Sequence, residues 1–399
     1  MIKERILIWG NGNTLKKNIC WIKQLYNIVG ITDSNIDISA QEDNIYSPEK
    51  ALKLQYDFIL IVSQYYEEIK ESLTGQYGID EKKIIFFEDE FLKERNQRFG
   101  NYNENVTFYI LRAHWYERKN GFFNYYVRAM IAYYHTQKKG YELLVDMKNY
   151  YTEYAGLERY GKVNVWEEYF QQPSVYSLED AYRSANVILS KFMDADYFDV
   201  DIPGFEYASL EWWVASRQMI SQRHKDWVKP AKALQDCLDR EMEKIVCSGK
   251  ILGVVARGTD YVYMKPENHF IPCDTDEFID YVRTYRKKLG YGAIYLATED
   301  EDILEKFKQS FSEDELFFSE QQRFGNTGRV LMDVKVDREN DGFLRGMEYC
   351  LVVLMLSKCD GLLANCYCGG TEGAISLNGG RYKDIEVTLL YKFLTKSAV

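Results

Sequence analysis

Short apolar runs alternate with amphipathic stretches over the first part of the chain. Runs rich in isoleucine, leucine and valine predict strands at residues 5–9, 28–32, 57–63 and 83–87. The stretches between them, through residue 26 and over residues 65–73, have the spacing of helices. Short buried strands that alternate with helices are typical of a parallel sheet. The pattern therefore predicts a small Rossmann-like domain over residues 1–95.

The alternation continues in two further segments. A polar stretch at residues 93–104 predicts a linker, and strands at 106–112 and 142–146 flank a helix at 123–138 that Gly140 caps. Residues 178–246 predict mainly helices. Strands at 251–256, 293–297, 316–318 and 361–364 alternate with helices at 275–289, 301–311 and 343–359, which predicts a second doubly wound sheet. We expect an α/β protein of three domains, at residues 1–95, 96–248 and 249–399.

Composition narrows the possible functions. The chain has 399 residues, and 50 Lys and Arg against 61 Asp and Glu give a net charge of −11. Such a chain is a poor general binder of nucleic acid or anionic membranes, because that binding depends on clustered cations. Its eight cysteines lack CxxC spacing, which indicates reduced thiols and no metal site. Lys358 and Asp360 interrupt the apolar run 351–364, and the first residues lack the long apolar run of a signal peptide. We expect a soluble, cytoplasmic protein without a transmembrane segment.

A glycine-containing turn follows the first predicted strand. Gly10 and Gly12 precede a helix, and Asp33 stands at the end of the next strand. Glycines let a backbone approach a pyrophosphate, and an acid about 20 residues further on can bind a ribose hydroxyl. Leu15 stands where the dinucleotide motif has its third glycine. A tight turn that binds no nucleotide is therefore an equal alternative.

Arg257 follows the strand predicted at 251–256, at the place where open α/β sheets bind their ligands. With the permissive Gly258 beside it, its guanidinium can reach a diphosphate, and Asp260 can orient the guanidinium or accept from a sugar hydroxyl. Glu267 and His269 lie in the following loop, and each is a candidate general base. The alternatives are a surface ion pair at Arg257 and solvated side chains in the loop.

Polar residues also follow the next predicted strands. Strand 293–297 runs into Thr298, Glu299 and Asp300, which can face a ligand, cap the next helix, or do both. Strand 361–364 precedes a turn whose backbone N–H groups can bind an anion at the start of a helix, or whose threonine caps that helix. The residues of this turn are Cys368, Gly369, Gly370 and Thr371.

Four runs in this order resemble the GDP-fucose-dependent fucosyltransferase superfamily, which includes α-1,6-fucosyltransferases, nodulation-factor fucosyltransferases and protein O-fucosyltransferases. The runs are VARGTD at 255–260, Glu267 ahead of Phe270 and Pro272, YLATED at 295–300 and LSKCD at 356–360. The resemblance covers residues 249–399 well and residues 96–248 more loosely. Residues 1–95 resemble instead the appended Rossmann-like domains of bacterial surface-polysaccharide proteins.

The resemblance implies a GT-B arrangement, in which two Rossmann-like domains face each other across a cleft, and an inverting reaction without a metal or other cofactor. It places Arg257 on the β-phosphate of the donor, Glu267 at the catalytic base, and the backbone amides of turn 368–370 on the diphosphate. Glu348 is the candidate for reading guanine, although a strict alignment puts Val352 there. The donor-binding set is Arg257, Asp260, Thr298, Glu299, Asp300, Glu348, Cys368, Gly369, Gly370 and Thr371.

The acceptor side is expected on the middle segment and on the loop after Arg257. Residues 146–154 and 164–170 are general candidates, although core packing is favoured for Trp166 and Phe170. Two departures from the family leave the donor base and sugar open, since Val255 replaces a histidine and Cys368 or Gly369 replaces a serine. The specific acceptor candidates are Asn120, Gly121, Phe122 and His269.

These inferences predict an inverting glycosyltransferase. It would move fucose, or a related sugar, from a GDP donor to a hydroxyl of a glycan or lipid-linked saccharide in bacterial surface-polysaccharide synthesis. One alternative keeps the enzyme and changes the donor, for instance to GDP-mannose. The other is a non-catalytic or sensory protein in which residues 1–95 bind a nucleotide through Gly10, Gly12 and Asp33.

Overall fold

The computed structural model describes most of the chain. The described residues are 3–34, 44–91, 93–112, 121–191, 200, 202–207, 209–245, 249–258, 270–325, 331, 334, 336–387 and 392–393. The chain forms two compact units. The first comprises residues 1–118, 136–166 and 174–195, and the second comprises residues 119–135, 167–173 and 196–399.

The amino-terminal elements of the first unit are β1 (Arg5–Trp9), α1 (Asn13–Leu25), β2 (Asn27–Thr32), α2 (Pro48–Ala51), β3 (Phe58–Ile61), α3 (Tyr66–Gly75), a 3-10 turn (Glu81–Lys83), β4 (Ile84–Phe86) and α4 (Phe87–Phe91). The four strands form a parallel sheet in the order β2-β1-β3-β4. Helix α1 packs on this sheet through Leu15, Trp21 and Ile22, which share a buried cluster with the strand residues Ile8 and Leu60. The strands and helices predicted for residues 1–95 are confirmed.

A second sheet of the first unit contains β5 (Arg95–Gln97), β6 (Tyr102–Arg112), β7 (Glu142–Asp146) and β8 (Ser184–Leu189), in the order β5-β8-β6-β7. Strand β6 is parallel to β7 and β8, whereas β5 is an antiparallel edge strand. Helices between β6 and β8 are α5 (Phe122–Lys139), α6 (Gly156–Arg159), α7 (Val165–Tyr169) and α8 (Leu178–Ala181).

Two predictions fail in this second sheet. The linker predicted at residues 93–104 is wrong, because β5 and the first residues of β6 lie there. The prediction of mainly helices after residue 178 misses β8, in which the polar Ser184 and Asn186 weaken the apolar signal of the strand. Pairing with neighbouring strands determines that both segments form strands, since neither has the continuous apolar pattern of a central strand.

The two sheets of the first unit share a buried polar network. Arg112, at the end of β6, is almost fully buried. Its guanidinium donates to the backbone carbonyl oxygens of Glu90 at 3.2 Å and Lys93 at 2.8 Å, and to that of Ser190. The buried Glu90 carboxylate in turn accepts from the Tyr26 hydroxyl. Because a buried charge is costly without partners, these contacts fix the backbone at Glu90 and at Lys93 against the second sheet.

The second unit is built on a five-stranded parallel sheet. Its order is β12-β11-β9-β13-β14, with β9 (Ile251–Val255), β11 (Ala293–Ala297), β12 (Leu316–Phe317), β13 (Gly361–Ala364) and β14 (Asp384–Val387). Strands β10 (Phe270–Ile271) and β15 (Lys392–Phe393) form a separate antiparallel pair. The sequence predicts the first four strands of the sheet but misses β14, a short edge strand whose Asp384 and Glu386 interrupt the apolar pattern.

The remaining helices in the described part of the chain are α9 (Leu210–Arg223), α10 (Lys232–Ile245), α11 (Thr275–Leu289), α12 (Glu301–Ser310), α13 (Asp341–Lys358) and α14 (Gly369–Asn378). Helix α13 is buried along most of its second half, and α14 packs on both α13 and α9. The fully buried Arg217 of α9 pairs with Glu372 in the first turn of α14, with 2.6 Å between Nε and Oε1. This contact fixes the start of α14, which lies next to the end of β13.

The α/β class predicted from the sequence is confirmed. Parallel sheets with helical connections make up both units. Within the described ranges, no helix combines the length and the hydropathy that crossing a membrane requires.

Gly10 provides a test of the amino-terminal turn. It has a φ of +117°, and a Cβ atom there would lie 2.5 Å from the carbonyl oxygen of Val62. We predict that Gly10→Ala lowers the free energy of unfolding by about 1–3 kcal/mol, because both the backbone conformation and the space favour glycine. Gly12→Ala is the matched control, since a Cβ at Gly12 meets nothing within 4 Å. Urea unfolding followed by circular dichroism checks this, and equal midpoints for the two variants would contradict it.

Candidate active site

Three neighbouring strands of the carboxy-terminal sheet end side by side. Val255 of β9 is in register with Ala297 of β11 on one side and with Ala364 of β13 on the other. Because these strands are parallel, the loops that follow them converge at one edge of the sheet. Open α/β sheets bind their ligands at this edge.

The backbone of Arg257 is held there by Asn365. The Asn365 Oδ1 atom accepts from the Arg257 N–H at 2.8 Å, and its Nδ2 atom donates to the Arg257 carbonyl oxygen at 2.9 Å. Asn365 is 2% exposed, and its own N–H donates to the Val255 carbonyl oxygen at 3.1 Å. Two hydrogen bonds therefore join the loops after β9 and β13, and a third joins Asn365 to the last residue of β9. Sequence reasoning gave Asn365 no role, because the two residues are 108 positions apart.

The Arg257 guanidinium pairs with Glu299, which follows β11. The distance between Nη1 and Oε1 is 2.7 Å, and both side chains are about four-fifths buried, with 22% and 20% exposure. A partly buried pair of this kind holds the planar guanidinium in one orientation. The sequence left open a surface ion pair at Arg257. The ion pair is present, but its two side chains are mostly buried at the edge of the sheet and do not lie on the surface.

Thr298 and Asp300 are buried beside this pair. Asp300 caps α12, since its Oδ1 atom accepts from the Ile303 N–H at 3.0 Å, and the predicted capping role is confirmed. Its own N–H donates to the Thr298 hydroxyl at 3.2 Å. Gly258 lies against Asp300, and a Cβ there would come within 2.5 Å of the Asp300 Oδ2 atom. Packing against Asp300 and Ile303 therefore favours glycine after Arg257.

The start of α14 completes the edge. Cys368 is the N-cap residue, and Gly369 and Gly370 are the first helical residues, so their N–H groups belong to the unpaired donors of a helix amino terminus. The Thr371 hydroxyl donates to the Cys366 carbonyl oxygen at 3.0 Å. The prediction that Thr371 caps the helix is wrong, because Cys368 occupies that position.

The Cys368 thiol lies in a polar environment. A hydrogen bond from the Cys366 thiol, the positive charge of Arg257 and the backbone N–H of Thr371 lower the pKa of Cys368 to about 5. The bond to Cys368 together with complete burial raises the pKa of Cys366 well above its usual value. These interactions favour the thiolate form of Cys368, which is the N-cap residue of α14.

Tyr349 of α13 is a further residue that sequence reasoning did not identify. A Cβ atom at Gly369 would lie 3.2 Å from its hydroxyl oxygen, and one at Gly370 would lie 3.7 Å from the same atom. A Cβ at Gly121 would lie 3.5 Å from the Tyr349 ring. The absence of a side chain at these three glycines thus leaves space around the Tyr349 side chain at the start of α14. No local motif marks Tyr349, since it lies within an ordinary helical pattern.

Glu348 lies in a different group of contacts. Its carboxylate accepts from two Arg338 nitrogens, at 2.6 and 3.1 Å, and from the Gln322 N–H at 3.3 Å. The Glu348 and Asp341 carboxylates raise the pKa of Arg338 above its usual value. The structure therefore places Glu348 with Arg338 beside the segment after β12.

Other predicted site residues have varied surroundings. Phe122 is fully buried and packs against Tyr169 and Phe170, so its side chain serves the core, as does that of the fully buried Trp166. Gly121 is exposed. Four predicted residues lie outside the described part of the chain: Asn120, Asp260, Glu267 and His269.

The amino-terminal glycine turn makes internal contacts. The N–H of Gly10 donates to the Thr32 carbonyl oxygen at 2.8 Å, and the N–H of Asn11 donates to the Asp33 carboxylate at 2.9 Å. Gly12 precedes α1 as its N-cap residue. The Asp33 carboxylate thus occupies a donor that a phosphate would use. This arrangement favours a tight turn over a dinucleotide site.

Comparison with known proteins gives one family and several structures. The chain matches the family described as "C2185-like, N-terminal" over residues 2–85. No curated protein matches it in sequence. Its fold is similar to that of fucosyltransferase NodZ from Bradyrhizobium, at 14% identity and a TM-score of 0.39, covering 67% of this chain and 92% of that one.

Two further solved structures are similar over more of the chain. A variant of Arabidopsis thaliana FUT1 in complex with GDP has 11% identity and a TM-score of 0.41, covering 81% of this chain and 79% of that one. POFUT1 in complex with GDP has 8% identity and a TM-score of 0.30, covering 97% of this chain and 98% of that one.

Asn365 provides a test of the edge geometry. We predict that Asn365→Ala lowers the free energy of unfolding by about 1–3 kcal/mol, because it leaves a recessed N–H and carbonyl of Arg257 without their partner. Asn101→Ala is the control, since Asn101 is exposed and bonds only the exposed Arg98 among the contacts described. Its expected effect is below about 0.5 kcal/mol. Urea unfolding measures both, and an Asn365 variant as stable as the control would contradict the predicted anchoring.

Proposed function

We propose that the chain is an inverting glycosyltransferase that needs no metal and transfers fucose, or a related sugar, from a GDP-linked donor. The observation that carries the proposal is the position of Arg257, which is anchored by Asn365 and adjoins the amino terminus of α14. The resemblance of the four sequence runs supports the same assignment. The acceptor is proposed to be a hydroxyl of a glycan or lipid-linked saccharide in bacterial surface-polysaccharide synthesis, with the chain acting in the cytoplasm.

The edge of the sheet has the charges that a departing diphosphate requires. Negative charge develops on the leaving group as the sugar is transferred, and fixed donors aimed at that charge lower the barrier. Arg257 offers a forked guanidinium for the phosphate oxygens. The N–H groups of Gly369 and Gly370 point outward from the start of α14, where the helix dipole favours an anion. Together they replace the positive charge of a metal.

Glu299 and Tyr349 have proposed supporting roles. In the free protein Glu299 holds the Arg257 guanidinium, and a diphosphate would take over part of that interaction. The guanidinium is thereby kept oriented before the donor binds, which reduces the entropy lost on binding. The Tyr349 hydroxyl lies close enough to Gly369 to donate to a phosphate oxygen bound there.

Glu267 is proposed as the general base. Attack on the anomeric carbon requires that the acceptor hydroxyl lose its proton as the new bond forms, and a carboxylate near the donor can accept that proton. Glu267 follows Arg257 by ten positions in the chain. Asp260 and His269 lie on either side of it in the sequence and are proposed to contact the donor and the acceptor, respectively.

Arg257→Ala tests this assignment. We predict that it lowers kcat/KM for sugar transfer by about a hundredfold or more, with the circular dichroism spectrum unchanged. Arg283→Ala is the matched control, because Arg283 is an exposed arginine of α11 that pairs with Asp280. Turnover is measured with GDP-fucose and GDP-mannose, which also identifies the donor. Near-normal turnover by a folded Arg257→Ala protein would refute the assignment.

Calorimetry distinguishes the proposed enzyme from the alternative of a sensory protein. GDP binding that weakens about tenfold or more in Arg257→Ala supports the enzyme, since a hydrogen bond to a charged group contributes about 1.5–3 kcal/mol. NAD binding that depends on Gly10 and Asp33 would support the sensory alternative instead.

The Cys368 thiolate predicts a pH dependence of GDP binding. A bound diphosphate brings negative charge close to the Cys368 thiolate and competes with it for the Arg257 guanidinium. The pKa of Cys368 therefore rises from about 5 in the free protein when GDP binds, and the complex takes up a proton. Linkage then weakens GDP binding as the pH rises from about 5 through the higher pKa of the complex.

Calorimetry across that pH range measures the effect. Cys368→Ser is the control, because the serine hydroxyl does not ionise in this pH range. The titration of GDP itself affects the natural protein and the variant equally. We expect a steeper loss of affinity with pH in the natural protein than in Cys368→Ser. Identical profiles would contradict the prediction.

A further inference from the structure

Arg217 and Glu372 form a buried ion pair between α9 and α14. The Arg217 side chain is fully buried and that of Glu372 is 14% exposed, with 2.6 Å between Nε and Oε1. The central carbon of the guanidinium lies 4.7 Å from the centre of the Trp213 ring, and Nη1 donates to the Ser216 hydroxyl at 3.1 Å. These neighbours hold the guanidinium in one orientation, and the guanidinium holds the Glu372 carboxylate towards α9.

Other contacts also attach α14 to α9. After the last residue of α14, the N–H of Gly379 donates to the Ser221 hydroxyl of α9 at 2.8 Å. A Cβ atom at Gly380 would lie 3.2 Å from the Gln222 side chain, so the two segments are in close contact there as well. Apolar side chains often stabilise a fold as well as a buried ion pair does, because removing two charges from water is costly. A charged pair at the start of α14 therefore points to a role beyond packing.

The position of Glu372 on its helix indicates what that role is. Glu372 lies in the first turn of α14, about one turn after Gly369, and an acid there is attracted to the helix N–H groups. The N–H groups of Gly369 and Gly370 are the proposed donors to the diphosphate. An unpaired carboxylate in this turn would compete with phosphate oxygens for those groups and would repel the diphosphate. The pairing with Arg217 opposes both effects, since it neutralises the carboxylate and draws it towards α9.

We propose that Arg217 is a positioning residue for the donor. It acts through Glu372, keeping that carboxylate neutralised and away from the amino terminus of α14, so that the diphosphate meets unpaired N–H groups and no opposing charge. The fully buried guanidinium does not itself contact the donor. This inference rests on the proposed function, because the effect exists only if a diphosphate binds at the start of α14.

Calorimetry with GDP on the full-length protein tests the inference. We expect Arg217→Gln to weaken GDP binding about tenfold, because it leaves the Glu372 charge unpaired beside the N–H groups. Glu372→Gln should bind GDP at least as tightly as the natural protein. The double variant Arg217→Gln/Glu372→Gln should regain an affinity within about threefold of the natural one. A merely structural pair would instead weaken binding alike in both single variants, with no recovery in the double variant.

Further variants separate binding from stability. Arg286→Gln is the matched control, because Arg286 pairs with Glu315 at 2.5 Å and donates to the carbonyl oxygen of Gly292, which lies at the amino end of β11. We expect it to lower the free energy of urea unfolding without changing GDP affinity. Arg217→Lys keeps the charge and should bind GDP within about threefold of the natural protein. Where Arg217→Gln does not fold, Arg217→Met has an apolar side chain suited to burial and carries the same expected tenfold loss.

The outcomes distinguish the inference from the proposed function. A folded Arg217→Gln or Arg217→Met protein that binds GDP like the natural protein overturns the inference, as does a tenfold loss in Glu372→Gln. The proposed function stands in either case if GDP binding still depends on Arg257. A loss in Arg217→Gln that the double variant reverses supports the inference, even if Arg257→Ala binds GDP normally and the role of Arg257 fails. A natural protein that binds neither GDP nor pyrophosphate overturns both.

Discussion

The position of one arginine at the end of a central parallel strand is the constraint on which the candidate site depends. Arg257 lies where β9 ends, and the register of β11 and β13 with β9 brings Glu299 and Asn365 to its two sides. A slip of one residue in β9 would turn every side chain of that strand to the opposite face of the sheet. The sheet register therefore determines the chemistry of the edge.

The negative groups around Arg257 suit a site that exchanges anions. In the free protein the Glu299 carboxylate and the Cys368 thiolate compensate the guanidinium, and the start of α14 adds unpaired N–H groups. A diphosphate would replace interactions that the protein already makes, so binding needs little rearrangement. Because the positive charge of Arg257 favours the ionised form of the Cys368 thiol, we expect the same site to respond to pH.

The sequence predicts the strand ends well and the contacts between them poorly. Arg257, Glu299 and the Gly369 turn follow short, apolar parallel strands, whose pattern is strong and whose ends meet by topology. The pairing of Asn365 with Arg257 joins positions far apart in the chain, and no local pattern encodes it. The sequence pattern does not reveal strands β5 and β8, because pairing with neighbouring strands stabilises them. The division into three domains, with a boundary at residue 95, stays a prediction.

The most direct measurement is a crystal structure of the protein with GDP. The central claim predicts the β-phosphate beside the start of α14, with its oxygens within about 3 Å of the guanidinium nitrogens of Arg257. GDP bound at the glycine turn of residues 10–12, or at any place from which Arg257 cannot reach its phosphates, would contradict that claim.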